Sequence, residues 1–529
     1  MENPTVVIIG GGATGLGILR DLSMRGVKTL LIEQGDLTHG ASSRYHGLLH
    51  SGCRYVVKDR EAARECIEEN KILRRIGKSC VESTEGMFIR LDSDDPEYED
   101  KWLEGCSEAG IDVKKISVDE VRKLEPLLTK KIVSAYLVPD AAIDGFRLSW
   151  QLVDSARKYG GEIQTYSTVT KINSYAGKII SVTIRDKLGE HEIPCEIVIN
   201  AAGGWAGKIA QLANLDVGVQ PDKGTLLVFN SRLVNRVVNR LHKSSDGDIF
   251  VPHGSVTILG TSSMNVKTPE DTSTSRAEVE NLLRIGNELI ENLSNYRMLR
   301  SFAGSRPLYQ PKGTATGRDA SRGFAIIDHA AEGLEGMFTI VGGKFTTFRL
   351  MAEKLSDQVC AKLGVSAKCR TAEESIVPEV SAVEKDKARK YFPSYGLELA
   401  ADRLGPEKFS AVVKKLESSR ESREIICECE NITRAEFETI AEESTSKNLN
   451  DIRRRTRFSM GTCQGVYCAF RSANMFDEKI PAMKSLHEIL QERWKGIRCV
   501  AIGKTLKEIE LSRSIYISSF NSNAGGDLF

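Results

Sequence analysis

The chain has 529 residues, 41% of them hydrophobic and 27% charged, the proportions of a globular protein with more than one core. Lys and Arg number 73 against 72 Asp and Glu, a formal net charge of +1, so no global field draws nucleic acid or an anionic membrane. No uninterrupted apolar stretch approaches the roughly 18 residues of a spanning helix, so the chain is expected to have no transmembrane segment of its own. The opening MENPTVVIIG has neither a basic n-region nor a cleavage site, which argues against secretion. The expectation is a cytoplasmic protein, with any attachment to the inner face of the cell membrane made through partners.

Val6 to Ile9 is a β-branched run ending in glycine, the pattern of a buried parallel strand. Leu16 to Met24 has helical periodicity, and Thr29 to Ile32 is a second strand closed by Glu33. Between them, Gly10-Gly11-Gly12-Ala13-Thr14-Gly15 fits G-x-G-x-x-G. In that pattern Gly10 permits the tight turn, Gly12 lets the backbone approach a pyrophosphate, and Gly15 allows close helix–strand packing. The helix N-terminus offers free N–H groups to the phosphates, and Glu33 stands where a carboxylate accepts hydrogen bonds from ribose hydroxyls. Strand, helix and carboxylate in register distinguish this from a ligand-free glycine turn. Spacing does not choose between FAD and NAD, but no second fingerprint occurs, so there is room for one such dinucleotide.

Further along, Glu61 to Ile76 is charged and helical, and Ser117 to Leu124 reads as a helix capped by Ser117 with Glu120 three residues on. Gly161 to Val198 is strand-like and ends in Ile197-Val198-Ile199-Asn200; Val217 to Thr261 and Gly336 to Val341 are strand-rich as well. Thr346 to Val359 reads as a helix. This alternation predicts an α/β protein (α+β overall) in which a Rossmann-like FAD-binding domain is interleaved with an antiparallel-sheet substrate domain. Residues 371–424 read as a helical connecting segment, 425–480 as a small helical cysteine domain, and 481–529 as a docking tail.

Of twelve cysteines, seven between Cys53 and Cys369 lack ligand spacing and read as small buried hydrophobes, and Cys499 stands alone. The other four form two pairs, Cys427-Glu428-Cys429 and, thirty-three residues later, Cys463-Gln464-Gly465-Val466-Tyr467-Cys468. Four thiolates from two short loops enclose either a [2Fe–2S] centre or tetrahedral zinc; C-x-C is unusual for zinc loops and favours iron–sulfur. Arg453-Arg454-Arg455 and Arg457, just before the second pair, read by default as a solvated face, with offsetting of cluster charge or docking of an acidic partner as the alternative.

After Glu33 comes Gly40-Ala41-Ser42-Ser43-Arg44-Tyr45-His46-Gly47-Leu48-Leu49-His50-Ser51-Gly52-Cys53-Arg54-Tyr55. Asp144-Gly145-Phe146-Arg147, Asn200 to Ala206, Ser305-Arg306-Pro307 and Gly342 to Thr347 follow in order. Over about residues 4 to 365 the series resembles FAD-dependent glycerol-3-phosphate dehydrogenases of the glycine oxidase/D-amino-acid oxidase superfamily. The C-terminal cysteines, with Arg457 to Thr462 before the second pair, resemble bacterioferritin-associated-ferredoxin-like domains, and place the likeness with the A subunits of the anaerobic branch. The C-x4-C gap is wider than the C-x2-C of the smallest such domains, and Ser51 and Cys53 stand where aerobic relatives are expected to carry Gly and Leu.

The resemblance implies an FAD-binding part near 1–60, 145–215 and 320–365 and a substrate part near 61–144 and 216–319, together spanning 1–370. It implies FAD contacts from Gly10, Gly12, Ala13, Thr14, Gly15, Glu33, Gln34, Ser42, Ser43, Gly47, Leu49, Val169, Ala202, Gly203, Trp205, Gly343, Lys344, Phe345 and Thr346. The implied reaction is oxidation of sn-glycerol 3-phosphate to dihydroxyacetone phosphate. His50 is the expected base and Arg306 its catalytic companion; Arg54, Tyr55, Arg306, Arg322 and Lys344 bind substrate, because a phosphate dianion calls for several cationic donors. His46 and His253 are rivals of His50, and Asp144 and Arg147 either brace the sheet or touch substrate. Implied partners are other subunits of an electron-transfer complex, one of them membrane-anchoring, leading to quinone. The alternatives are an amino-acid or 2-hydroxyacid oxidase of the same fold and a flavin-binding protein of such a complex that is not itself catalytic.

Overall fold

The structure is a computed structural model and describes residues 3–310, 323–476 and 480–520. Strands β1 (Val6–Ile9) and β2 (Thr29–Ile32) pair in parallel around helix α1 (Ala13–Met24). They lie inside a six-stranded sheet whose order is Phe324–Asp328, Met337–Gly342, Ile197–Asn200, β1, β2, Glu162–Gln164. The continuous apolar run of β1 has a direct reason: both faces of its sheet are covered. Val6 and Ile8 pack against α1 and helices Gly145–Arg157 and Phe348–Leu363. Val7 and Ile9 pack against the antiparallel meander that runs from Thr168 to Pro194.

The second large sheet supplies the wall opposite the dinucleotide turn. Its spine is Val219–Phe229, paired antiparallel with Met298–Tyr309. Its strands come from 86–138 and 219–309, so the chain leaves the Rossmann-like part twice and returns. The pairings are antiparallel as expected, with one exception: Gly86–Leu91 and Val237–Arg240 run parallel. Helix α2 (Arg60–Ile76) is capped by Asp59, whose carboxylate accepts from Ala62 N at 3.0 Å, and Ser117 caps its helix through Glu120 N at 3.2 Å.

Beyond residue 371 the helical stretch does more than connect. One hydrophobic cluster runs from Val380 through Phe409, Cys427, Phe437, Phe458 and Trp494 to Tyr516, uniting the 371–424 segment, the cysteine unit and the tail. Tail helix Ala482–Ile497 seats on the large sheet, where Ser301 Oγ donates to Gly496 O at 3.3 Å. The Arg453–Arg455 run, read above as a solvated face, is instead turned inward. Arg454 pairs with Asp36 at 2.6 Å and Asp451 at 2.8 Å, and Arg453 and Arg455 are almost entirely covered. Among the described residues no helix is long and apolar enough to cross a membrane.

Candidate active site

The dinucleotide turn is shaped by contacts that exclude side chains. A Cβ on Gly15 would lie 2.0 Å from Gly10 O, and one on Gly10 (φ +115°) would lie 2.6 Å from Ala201 O. Gly12 is the N-cap of α1 and makes no side-chain cap, and the first turn holds no acidic residue. Apart from Ala13 N, its first-turn N–H groups, with the partial positive charge, are therefore left for an anion. Ser42 Oγ reaches the turn and accepts from Ala13 N at 2.9 Å. Glu33 accepts from Gly11 N at 2.7 Å and from Gly35 N at 2.9 Å, which fixes its carboxylate at the strand end while each oxygen keeps a further lone pair. Burial pushes this carboxyl up, and the two backbone N–H groups oppose the shift.

Around this turn the other expected cofactor residues are distributed as follows. Thr14 is half-buried and Gln34 exposed at the end of β2; Ser43 Oγ donates to Thr38 O at 2.5 Å. Val169 is buried in the meander beside β2, and Ala202 and Gly203 follow the strand end at Asn200. Trp205 Nε1 donates to Glu270 at 2.8 Å. Leu49 is fully buried, and Gly47 (φ +76°) passes so close to His253 that a Cβ would lie 1.9 Å from its Nε2. Gly343 (φ +77°) abuts Met351, and Phe345 stacks on Tyr45 with centroids 4.5 Å apart.

A cationic cleft opens from the same loop. His50 Nε2 and Tyr55 Oη are 3.5 Å apart, and Lys344 Nζ stands 5.2 Å over the Tyr55 ring. Thr346 Oγ1 accepts from His50 N at 3.1 Å, tying the loop to the segment that opens the helix Phe348–Leu363. Burial, then the charges of Arg54 and Lys344, draw the His50 pKa down to about 3, so its imidazole is neutral across the physiological range. Burial, then His50, Arg306 and Arg54, hold His46 well below its ordinary value as well. His50, Tyr55, Arg54, Arg306 and Lys344 thus share one neighbourhood. Arg322 lies outside the described residues.

Both arginines are aimed by buried carboxylates. Arg306 Nη1 pairs with Asp222 at 2.6 Å and its Nη2 donates to Ser262 O at 3.1 Å. Arg54 Nη2 pairs with Asp248 at 2.6 Å. A guanidinium has five donors, so each pairing leaves N–H groups for a phosphate. Gly224 permits the Arg306 position, since a Cβ there would sit 2.5 Å from Nη2. Neither Asp222, Asp248, Gly224 nor Thr346 Oγ1 carries a sequence signal for these roles; the partners lie 84 and 194 residues from the arginines they hold. The rivals have other ties: His253 Nε2 bonds to His46 O at 3.0 Å, and His46 Nδ1 accepts from Leu48 N at 3.1 Å. Asp144 caps helix Gly145–Arg157, accepting from Phe146 N and Arg147 N at 3.1 Å each, and pairs with Arg457 at 3.5 Å.

The four C-terminal thiols adjoin one another. The Cys468 thiol acts on those of both Cys427 and Cys463, and the Cys429 thiol on that of Cys463. The influence of Cys468, aided by Tyr467 N and Gly465 N, draws Cys463 down to about 5. Gly461 lets Cys429 approach, since a Cβ there would lie 2.2 Å from Cys429 Cβ. Among the described residues no group of three or more His, Cys, Asp or Glu side chains is arranged to hold a single metal ion.

A Rossmann-like turn with an uncapped helix N-terminus, together with a cleft of cations and a neutral histidine, fits a dinucleotide-dependent oxidoreductase, and the match of residues 5–358 to the family model described as DAO, FAD dependent oxidoreductase makes it a flavin-dependent one. The chain belongs to the family of anaerobic glycerol-3-phosphate dehydrogenase A subunits. It is 42% identical to the A1 protein of that enzyme from Haloferax volcanii, over 98% of this chain and 91% of that one. It is 39% identical to the corresponding A protein of Escherichia coli K12, over 97% and 96%. Among solved structures it resembles a glycerol-3-phosphate dehydrogenase from Bacillus halodurans complexed with FAD, with TM-score 0.70 and 19% identity, covering 94% of this chain and 95% of that one.

Proposed function

We propose that this chain oxidises sn-glycerol 3-phosphate to dihydroxyacetone phosphate and passes the electrons to partner subunits. The observation that carries the reading is the gathering of Arg54 and Lys344 about a neutral His50 beside Tyr55, with Arg306 acting on His46, whose ring lies 5.6 Å from that of His50. The phosphate dianion takes the N–H donors that Asp222 and Asp248 leave unused, which holds C2 near His50. His50 Nε2 accepts the C2 hydroxyl proton, and Tyr55 Oη orients that hydroxyl. Burial, with Arg54 and Lys344 adding to it, holds this imidazole near pKa 3 and makes it a weak base; the bound dianion offsets the two cations, so substrate binding raises its basicity. Bound FAD supplies the acceptor for the hydride that leaves C2.

The residues of the turn and its surroundings fit FAD: Gly10, Gly12, Ala13, Thr14, Gly15, Ser42 and Ser43 at the pyrophosphate, Glu33 at the ribose, and Gly343 to Thr346 beside the ring. The experiment is anaerobic addition of substrate to FAD-loaded protein. Glycerol 3-phosphate bleaches the oxidised-flavin absorption, and amino acids or 2-hydroxyacids do not. Bleaching by the latter alone moves the assignment to an amino-acid or 2-hydroxyacid oxidase, and no bleaching by any polyol phosphate moves it to a flavin-binding component without catalysis of its own.

The thiol chain Cys427–Cys468–Cys463–Cys429 supports a [2Fe–2S] centre over zinc. A dinuclear cluster takes two thiolates on each iron and needs no single point shared by all four, whereas tetrahedral zinc does. The designation of the relatives as A subunits supports further subunits; that one of them anchors the complex to a membrane and leads to quinone is part of the proposal. Iron and acid-labile sulfide in equal amounts, measured on protein purified without oxygen, test the cluster.

A further inference from the structure

A cavity of about 1050 Å³ lies where the flavin-binding part, the large sheet and the C-terminal module meet. It backs onto the loop bearing Ser43 and Gly47, but its lining includes neither Gly10, Gly12, Ser42, Ala202 and Gly203 nor the cleft residues His50, Arg54, Tyr55, Arg306 and Lys344. It is therefore a space apart from the turn that holds the dinucleotide phosphates.

Its charge is unbalanced. Glu492 lies 3.6 Å from Arg300 and 3.9 Å from Arg453, and it also feels the charges of Lys495 and Arg44. Four cations from three parts of the chain thus face one carboxylate. The other arginines of the wall are matched: Arg454 by Asp36 and Asp451, Arg457 by Asp144 and Glu430. Glu488 and Arg498, which also line the space, add one charge of each sign, and Glu270 on the same wall is matched by Lys208 at 2.6 Å, so the imbalance stands. Arg300 Nε and Arg453 Nε are buried without a hydrogen-bond partner. Burial and the adjacent Arg300 draw Arg453 down to about 9, against the opposing pull of Glu492, which it shares with Arg300.

Size and surface narrow the missing anion. The space matches the upper end of sites for small organic ligands, roughly 300–1000 Å³, and a lone phosphate would fill little of it. Phe146 and Phe302 give it an apolar, aromatic wall. We propose that this cavity binds a nucleotide carrying two or more phosphates, with the phosphates among Arg44, Arg300, Arg453 and Lys495 and the base against the aromatic wall. Because those cations come from the flavin loop, the sheet and the C-terminal module, the bound nucleotide fastens the three together.

The test uses full-length, FAD-loaded protein and ADP as the probe, with calorimetric titration and thermal unfolding. ADP is expected to bind without displacing flavin and to raise the unfolding midpoint. Arg453→Gln and Arg300→Gln each weaken ADP at least tenfold, and the unliganded midpoint does not fall, because each change removes repulsion. Should one variant fail to fold, the other carries the test. The proposal is overturned if ADP does not bind, if it binds only flavin-depleted protein in competition with FAD, if both variants bind it undiminished, or if inorganic pyrophosphate binds as tightly as ADP.

Discussion

Arg455 Nη2 lies 3.2 Å from Asp36 Oδ1 in a pair that is almost wholly buried, and the same guanidinium stands 3.8 Å over the Trp150 ring. The cysteine module is thereby pinned to the segment just after β2. Breaking a buried pair by removing one partner leaves an uncompensated charge, at a cost of about 3–5 kcal/mol. Asp36→Asn takes a carboxylate from Arg454 and Arg455 together, leaving Arg454 only Asp451 and Arg455 only the longer contact with Glu443, so it is expected to lower the unfolding midpoint and speed proteolytic release of the C-terminal module. An unchanged midpoint and cleavage rate would show that the pair does not hold the modules together.

Gly224→Ala places a methyl group where the Arg306 guanidinium now sits. The guanidinium must move away from Asp222, and the substrate loses a charged hydrogen bond of about 1.5–3 kcal/mol. That predicts a drop in kcat/KM of roughly 10- to 150-fold with FAD content intact, and a similar loss in Arg306→Ala and Lys344→Ala. Loss of flavin from these variants would place both residues in cofactor binding instead.

His50→Gln should reduce turnover by about 10²–10⁴-fold, the usual contribution of a positioned base. It should also change the response of stability to pH. The folded-state pKa of His50 is depressed to about 3, below the ordinary 6.5, so between these values only the unfolded chain takes the proton. Stability contributed by neutral His50 is complete above 6.5 and falls progressively as pH drops toward 3. Thermal unfolding followed from pH 7 to pH 4 should therefore be flatter in His50→Gln. His46 and His253 are depressed in the same direction and sustain the remaining slope.

Cys463→Ser is expected to abolish iron and sulfide binding and leave the flavin absorption unchanged, since Cys463 adjoins Cys468 of the C-terminal core rather than the dinucleotide turn. Metal analysis that finds zinc in the wild type, at one per chain, sinks the iron–sulfur reading. Gly15→Ala gives the converse pattern. Its Cβ would overlap Gly10 O, so flavin is lost while cluster iron is retained.

The features legible in the sequence are those encoded within a few residues. The βαβ unit with Gly10 to Gly15 and Glu33 is local in period and spacing, and its bounds match the structure closely. His50, Arg54 and Tyr55 sit on one short segment, so bringing them together required little tertiary information. The carboxylates that aim Arg54 and Arg306 are distant in sequence, and no spacing rule links them. Arg453 to Arg455 misled for a related reason. A run of like charge reads as surface, and only Asp36, more than 400 residues away, makes its burial intelligible. The 371–424 stretch has no chemical motif, and its contribution to the C-terminal core shows only in packing.

Strand Met298–Tyr309 carries Arg300 at one end and Arg306 at the other, an even separation that projects both side chains from the same face. Hydrogen bonding to Val219–Phe229 is in regular register across that interval, so the two guanidinium stems are held about 20 Å apart on an inextensible ruler. Arg306, held by Asp222, and the seat of the C-terminal module at Ser301 therefore lie toward opposite ends of one strand.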